Sequence, residues 1–139
     1  MAKPAILVNL NRCTGCWTCS MACKVGNKLG ERIEDWRLRV NTIGSGKGID
    51  SPGGTWPDVW MSWEPIYTKK CTLCAERTAG GDQPFCTYNC PTKALTYGDM
   101  DDEQSAISLR MKELKDIGFS IFQKPEEENS SKNVYYAKR

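Results

Sequence analysis

Eight cysteines gathered into two short runs constrain this 139-residue chain more than any other feature. The first run is Cys13, Cys16, Cys19 and Cys23, spaced C-x2-C-x2-C-x3-C. The second is Cys71, Cys74, Cys86 and Cys90, spaced C-x2-C-x11-C-x3-C. Both open with C-x2-C and close with C-x3-C, so they read as an internal duplication with nine extra residues in the second copy. An even cysteine count suits disulfides in a secreted chain. Four-cysteine sets also suit structural zinc, although zinc usually takes two separated C-x2-4-C knuckles. The start, MAKPAILVNLNR, holds one short apolar run, Ala5–Val8, with no cleavage site after it. No apolar run approaches the roughly 20 residues a membrane span needs. The expectation is a chain without a membrane span, made in a reducing compartment and cytoplasmic, where clustered thiols bind metal.

Histidine is absent. That removes the commonest general base and the commonest imidazole ligand, so side chains can hold a metal only through thiolates or carboxylates. A net charge of +2 gives no electrostatic footprint for nucleic acid. The length fits one small domain with one modest core.

The first spacing is the bacterial iron–sulfur run, in which three closely spaced cysteines wrap one cluster and the fourth ligates the other cluster of a two-cluster protein. Gly15 suits the tight turn such a loop makes. On that pattern one [4Fe–4S] cluster takes Cys13, Cys16, Cys19 and Cys90. The second takes Cys71, Cys74, Cys86 and Cys23. A cluster-free chain is then expected to lose most of its fold, because so small a core has little else to hold it.

Local patterns place these runs on a framework. Ala5–Leu10 reads as a buried strand, and the residues after Cys19 as a short helix stopped at Gly30. Ile33–Val40 alternates like a half-buried strand. Residues 41–58 are rich in Gly, Ser and Pro and read as a loop. Val59–Tyr67 reads as a strand that Pro65 confines to an edge. Ala94–Asp99 reads as a strand and turn. Asp101–Ile117 reads as a helix with acidic residues at its start, an apolar stripe of Ile107, Met111 and Leu114, and Gly118 as its cap. Phe119–Phe122 suggests a last strand, residues 125–132 a polar linker, and NVYYAKR an end with two adjacent tyrosines.

The stretches NRCTGCWTCSMACK and KKCTLCAERTAGGDQPFCTYNCPTKALTYGD resemble the iron–sulfur electron-transfer subunits of the dimethyl sulfoxide reductase type. The second stretch carries the match most specifically, and Lys24 after Cys23, where simple ferredoxins have proline, fits the family's first motif. The resemblance implies a ferredoxin-like α+β dicluster fold with two pseudo-symmetric cluster-binding halves. Residues 1–100 would form that domain, with 41–63 as an inserted loop, and 101–139 a C-terminal extension of helix and tail. It implies a non-catalytic subunit that relays electrons to or from a partner bearing molybdopterin or tungstopterin, with a further electron carrier as a second partner. Family members commonly have four cysteine motifs. The two present here resemble the first and last, so the implied wire is two clusters long and suits a soluble catalytic partner. Export with a signal-bearing partner is the alternative to a cytoplasmic site. A free-standing dicluster ferredoxin, a redox-sensing regulator and a zinc-structured interaction module are the competing classes. The regulator would want a helix-turn-helix or basic stripe, and none is evident.

Other residues admit two readings each. Trp17 either shields a cluster or simply packs. Lys24, Lys69, Lys70 and Arg77 either raise a cluster's potential and dock a partner or form a solvated face. Trp56, Trp60 and Trp63, like Tyr135 and Tyr136, either form an interface or cover the small core.

Overall fold

A computed structural model of the chain describes residues 3–42, 53–123 and 133–139. The fold is mixed α/β, in keeping with an α+β class. Its centre is β1, Pro4–Asn9. This strand pairs antiparallel with β6, Leu95–Asp99, and parallel with β8, Val134–Lys138, which in turn pairs antiparallel with β7, Ser120–Phe122. The sheet order is therefore β6-β1-β8-β7.

A strand with neighbours on both edges and cover on both faces reads as a continuous apolar run rather than an alternation. AILVNL does so, and every residue from Ala5 to Leu10 is buried. The period-2 geometry of the strand still sorts its side chains. Ile6, Val8 and Leu10 join a core with Cys19, Cys86, Cys90, Tyr67 and Tyr136. Ala5 and Leu7 pack on the other face against Ile107, Met111 and Leu114. Those three lie on α4, Ala106–Asp116, and are its buried residues, as the stripe predicts. Burying each is worth about 1.5–3 kcal/mol.

The helix starts later than expected. Asp101, Asp102 and Glu103 precede it in a turn, and its first turn holds no acidic residue. The reason is local hydrogen bonding. Ser105 caps the helix by accepting from the Ser108 N–H, and its hydroxyl donates to the Asp99 carbonyl at 2.6 Å. Gly118 takes φ +98 just past the end, a conformation in which a Cβ is unfavourable.

The residues between β1 and β6 form two strand–helix units. The first runs from β1 through the first cysteine run into α1, Thr18–Gly26, and then β2, Leu38–Thr42. The second runs from β5, Trp63–Tyr67, through the second run, with α2, Ala75–Ala79, and α3, Phe85–Asn89, into β6. The outer strands of the two units pair as β1–β6, and the inner strands pair antiparallel as β2–β5. Helices α1 and α3 pack against each other between them.

Several boundaries differ from expectation. Helix α1 ends at Gly26, where Asn27 returns its backbone N–H to the Cys23 carbonyl, so Gly30 is not the stop. The strand expected from Ile33 begins at Leu38, because Ile33–Asp35 forms a 3-10 turn. Residues 43–52, most of the expected loop, lie outside the described residues. Gly53–Thr55 and Asp58–Trp60 make a hairpin, β3–β4. The strand expected over Val59–Tyr67 is thus two strands, β4 and β5, broken at Met61 and Ser62. Pro65 sits opposite Val40 in the two-stranded β2–β5 sheet, where both strands are edges. The expected polar linker, 125–132, also lies outside the described residues. No described helix is long and apolar enough to cross a membrane.

Candidate functional site

The local conformation of the cysteine runs repeats between the two copies. Gly15, two residues after Cys13, has φ +69, and Leu73, two residues after Cys71, has φ +55. This left-handed turn directs a backbone N–H back at the preceding sulfur. The Leu73 N–H donates to Cys71 Sγ at 3.5 Å, and the Gly15 N–H lies against Cys13 in the same way. Left-handed backbone also occurs at Trp17 (φ 62), just after the second cysteine of the first run, and at Cys74 (φ 50), the second cysteine of the other. Non-glycine residues hold such angles at a cost of roughly 1–3 kcal/mol, and they concentrate at functional sites. The duplication read from spacing therefore extends to the backbone of the C-x2-C turn, at Gly15 and Leu73.

The folded chain places the eight cysteines in the lining of two pockets, four in each. One is lined by Cys13, Cys16, Cys19 and Cys90. The other is lined by Cys23, Cys71, Cys74 and Cys86. Each pocket thus draws one cysteine from the opposite run. Packing of α1 on α3 achieves the exchange, since Cys23 lies in α1 and Cys90 directly follows α3. All eight thiols are free of disulfides. Among the described residues, no three thiol or carboxylate side chains converge as one metal ion would need.

The two pockets differ in exposure. Cys16 is exposed, while Cys19 and Cys90 behind it are buried. We call this the outer pocket. In the inner pocket Cys23 and Cys86 are buried and Cys71 and Cys74 are half-buried. Burial disfavours thiolate and pushes Cys19 up to about 12 and Cys71 up to about 11. Cys86 is raised well above its ordinary value for the same reason. Cys16 moves the other way, lowered chiefly by the Thr18 hydroxyl. With Cys19 and Cys71 protonated at neutral pH, metal binding through them must release protons, so rising pH is expected to favour loading.

Donors surround the sulfurs. In the outer pocket the Ala94 N–H donates to Cys90 Sγ at 3.3 Å, and Thr92 Oγ1 lies 3.6 Å from the same sulfur. In the inner pocket Asn27 Nδ2 lies 3.5 Å from Cys23 Sγ and 3.8 Å from Cys74 Sγ. Tyr67 Oη donates to Cys86 Sγ at 3.5 Å. Arg37 lines this pocket, and its positive charge favours the thiolates of Cys23 and Cys71. Sequence reasoning overlooked Asn27, Arg37 and Tyr67. Asn27 had a signal, since it stands four residues after Cys23 and shares its helix face. Arg37 and Tyr67 arrive through the β2–β5 pairing, which no local spacing reveals.

The residues flanking the cysteines sort differently from one another. Trp17 lines the outer pocket and meets Trp36 edge to face, with ring centroids 5.7 Å apart. Lys24 Nζ sits 5.1 Å from the Trp36 ring centroid, and Lys70 donates to the Glu34 carbonyl. Arg77 donates to the Gln83 carbonyl at 2.6 Å and stacks on Phe85 at 4.3 Å, which closes the loop inserted in the second run. Lys69 is exposed. Trp63 packs on the outer pocket's core, whereas Trp56 and Trp60 are 85% and 48% exposed. Tyr136 is fully buried and donates to the Pro65 carbonyl, so it is a core residue, with Tyr135 half-buried beside it.

Trp63 also explains Gly15. A Cβ at Gly15 would stand 2.6 Å from the Trp63 ring, at a φ of +69 that L-residues rarely adopt. Gly15→Ala is expected to destabilise the protein by about 1–2 kcal/mol from backbone handedness alone, and more from displacing Trp63. Its signature in anaerobic chemical denaturation and metal analysis should be a lower midpoint together with reduced loading of the outer pocket. An unchanged midpoint would show that the turn tolerates a side chain.

No protein-family model matches the chain. Among curated proteins, it is 27% identical over 93% of its length to a Halobacterium salinarum protein named as the iron–sulfur subunit of a dimethyl sulfoxide reductase, with 42% of that protein covered. It is 29% identical over 76% of its length to the arsenate respiratory reductase iron–sulfur subunit ArrB of a Shewanella species, covering 53% of it. A shorter match, 40% identical over 36% of this chain, reaches 17% of the formate dehydrogenase-O iron–sulfur subunit of Escherichia coli. The chain spans about half or less of the length of these relatives. The chain is thus similar, in its cysteine-bearing stretches above all, to proteins named as iron–sulfur subunits of a dimethyl sulfoxide reductase, an arsenate respiratory reductase and a formate dehydrogenase.

Proposed function

We propose that the chain holds two [4Fe–4S] clusters and serves as the electron-transfer subunit of a molybdopterin or tungstopterin oxidoreductase. The observation that carries this reading is the pair of four-cysteine pockets, each with one cysteine contributed by the opposite run. The donor set supports it. Thiols are the only soft ligands in each pocket, and the chain has no histidine to offer. Backbone and side-chain donors already face the sulfurs, as bound iron–sulfur groups require. The C-x2-C-x2-C-x3-C spacing of the first run favours a cluster over zinc, whose structural sites usually use two separated C-x2-4-C knuckles.

A bound cluster of this type supplies one-electron exchange. The chain's own residues bind it, exclude water and leave a way in. Buried Leu73, Pro84 and Tyr67 line the inner pocket, while exposed Cys16 lies at the rim of the outer one, where a redox partner has its shortest approach. The pairing of outer strands β1–β6 and inner strands β2–β5 supports a ferredoxin-like fold of two related halves, with residues 101–139 as an extension that completes the sheet. The substrate reaction then belongs to the partner subunit.

Anaerobic purification of the native protein tests this. The expected result is about eight iron and eight acid-labile sulfide per chain, with visible absorbance bleached by dithionite. Two zinc atoms and a colourless protein would overturn it. A free-standing dicluster ferredoxin would use the same pockets. Co-purification at high salt separates the two, since a stoichiometric complex with a pterin-bearing subunit rejects the free carrier.

A further inference from the structure

We infer that Asn27 and Tyr67 set the reduction potential of the group held in the inner pocket, by donating hydrogen bonds to its ligand sulfurs from inside the protein. This rests on the cluster-binding reading above.

The geometry at Asn27 is specific. Its side-chain amide carries two N–H donors. Nδ2 donates to the Cys23 carbonyl at 3.0 Å, which fixes the plane of the amide. The same nitrogen stands between Cys23 Sγ at 3.5 Å and Cys74 Sγ at 3.8 Å, two sulfurs from opposite halves of the chain. All three neighbours are acceptors, so the nitrogen and not the oxygen belongs there. Tyr67 approaches from another side. It is 2% exposed, stands opposite Leu38 in the β2–β5 ladder, and points its hydroxyl at Cys86 Sγ. Three of the four inner sulfurs therefore face a side-chain donor.

Backbone donors occur around both pockets and are part of how each loop folds. These two donors are side chains, and Tyr67→Phe removes one of them without touching the backbone. Adding an electron makes the ligand sulfurs more negative, so a donor stabilises the reduced form more than the oxidised one and raises the potential. The effect is large where burial excludes competing water. Loss of one such hydrogen bond from the reduced form is expected to change the reduction equilibrium about tenfold, which is about 59 mV for one electron.

The test is an EPR-monitored redox titration of the full-length protein with both clusters loaded, in the wild type, Asn27→Leu and Tyr67→Phe. A soluble paramagnetic relaxing agent identifies the outer signal, since Cys16 is exposed. Each variant should lower the inner midpoint about tenfold in equilibrium constant and leave the outer midpoint in place. The double variant should approach the product of the two, because the residues touch different sulfurs. Tyr67→Phe keeps the buried ring and removes one oxygen, so it carries the test even if Asn27→Leu loses iron. A purely structural role would lower iron content or the unfolding midpoint and leave the potential unmoved. Inner midpoints unchanged in Tyr67→Phe, at full iron content, would overturn the inference while leaving the cluster reading intact. A wild type without iron–sulfur clusters would overturn both.

Discussion

Replacing Cys90 with serine is expected to empty the pocket of the first cysteine run, although Cys90 stands far along the chain from Cys13, Cys16 and Cys19. The outer pocket closes only when Cys90, at the end of α3, lies beside the first run. By the same logic Cys23→Ser should empty the inner pocket. Iron should fall from about eight to about four per chain in each variant. The identity of the surviving signal is the decisive readout. Cys90→Ser should match Cys16→Ser, and Cys23→Ser should match Cys74→Ser. If each run held its own group, the matches would be reversed: Cys23→Ser would resemble Cys16→Ser. That reversal would sink the crossed assignment and leave the number of groups unaffected.

Deleting residues 133–139 is expected to abolish folding, which is a larger effect than loss of an interface tail. Strand β8 lies between β1 and β7, so its removal bares one edge of the central strand and leaves β7 without its partner. Val134, Tyr136 and Ala137 are all fully buried, on both faces of the sheet. Their combined burial is comparable with the whole stability of a small domain, about 5–15 kcal/mol. The point variant Tyr136→Ala should cost about 3–5 kcal/mol, as large-to-small changes at buried aromatics do. Tyr136→Phe should cost about 1 kcal/mol for the lost hydrogen bond to Pro65. Urea unfolding under anaerobic conditions measures all three. A truncated chain that unfolds at the parental midpoint would show that β8 is dispensable.

Much of the framework was legible where local chemistry decides local shape. AILVNL reads as a buried strand because six consecutive buried positions leave little room for polar residues. Ile107, Met111 and Leu114 mark one helix face because a helix repeats every 3.6 residues. Gly15 announces its turn because other residues pay strain there. The acidic cluster at 101–103 misled for an instructive reason. Asp99 and Asp102 satisfy backbone N–H groups of the turn before the helix, and Ser105 is the true cap. Tyr135 and Tyr136 were ambiguous because a terminal strand announces its own periodicity but not its partner.

The sequence by itself determined the duplicated cysteine loops, since a C-x2-C turn is built from dihedral angles and hydrogen bonds within a few residues. It also determined that no imidazole competes with the thiols as a ligand, since the chain has no histidine. Only the tertiary structure decided what surrounds those thiols. Arg37 and Tyr67 reach the inner pocket because β2 pairs with β5, and Cys90 reaches the outer one because α3 packs on α1. It also decided that the C-terminal strand runs parallel to β1 at the centre of the sheet. These choices rest on register and packing between segments far apart in the chain, where the free energy comes from surfaces that meet only after folding.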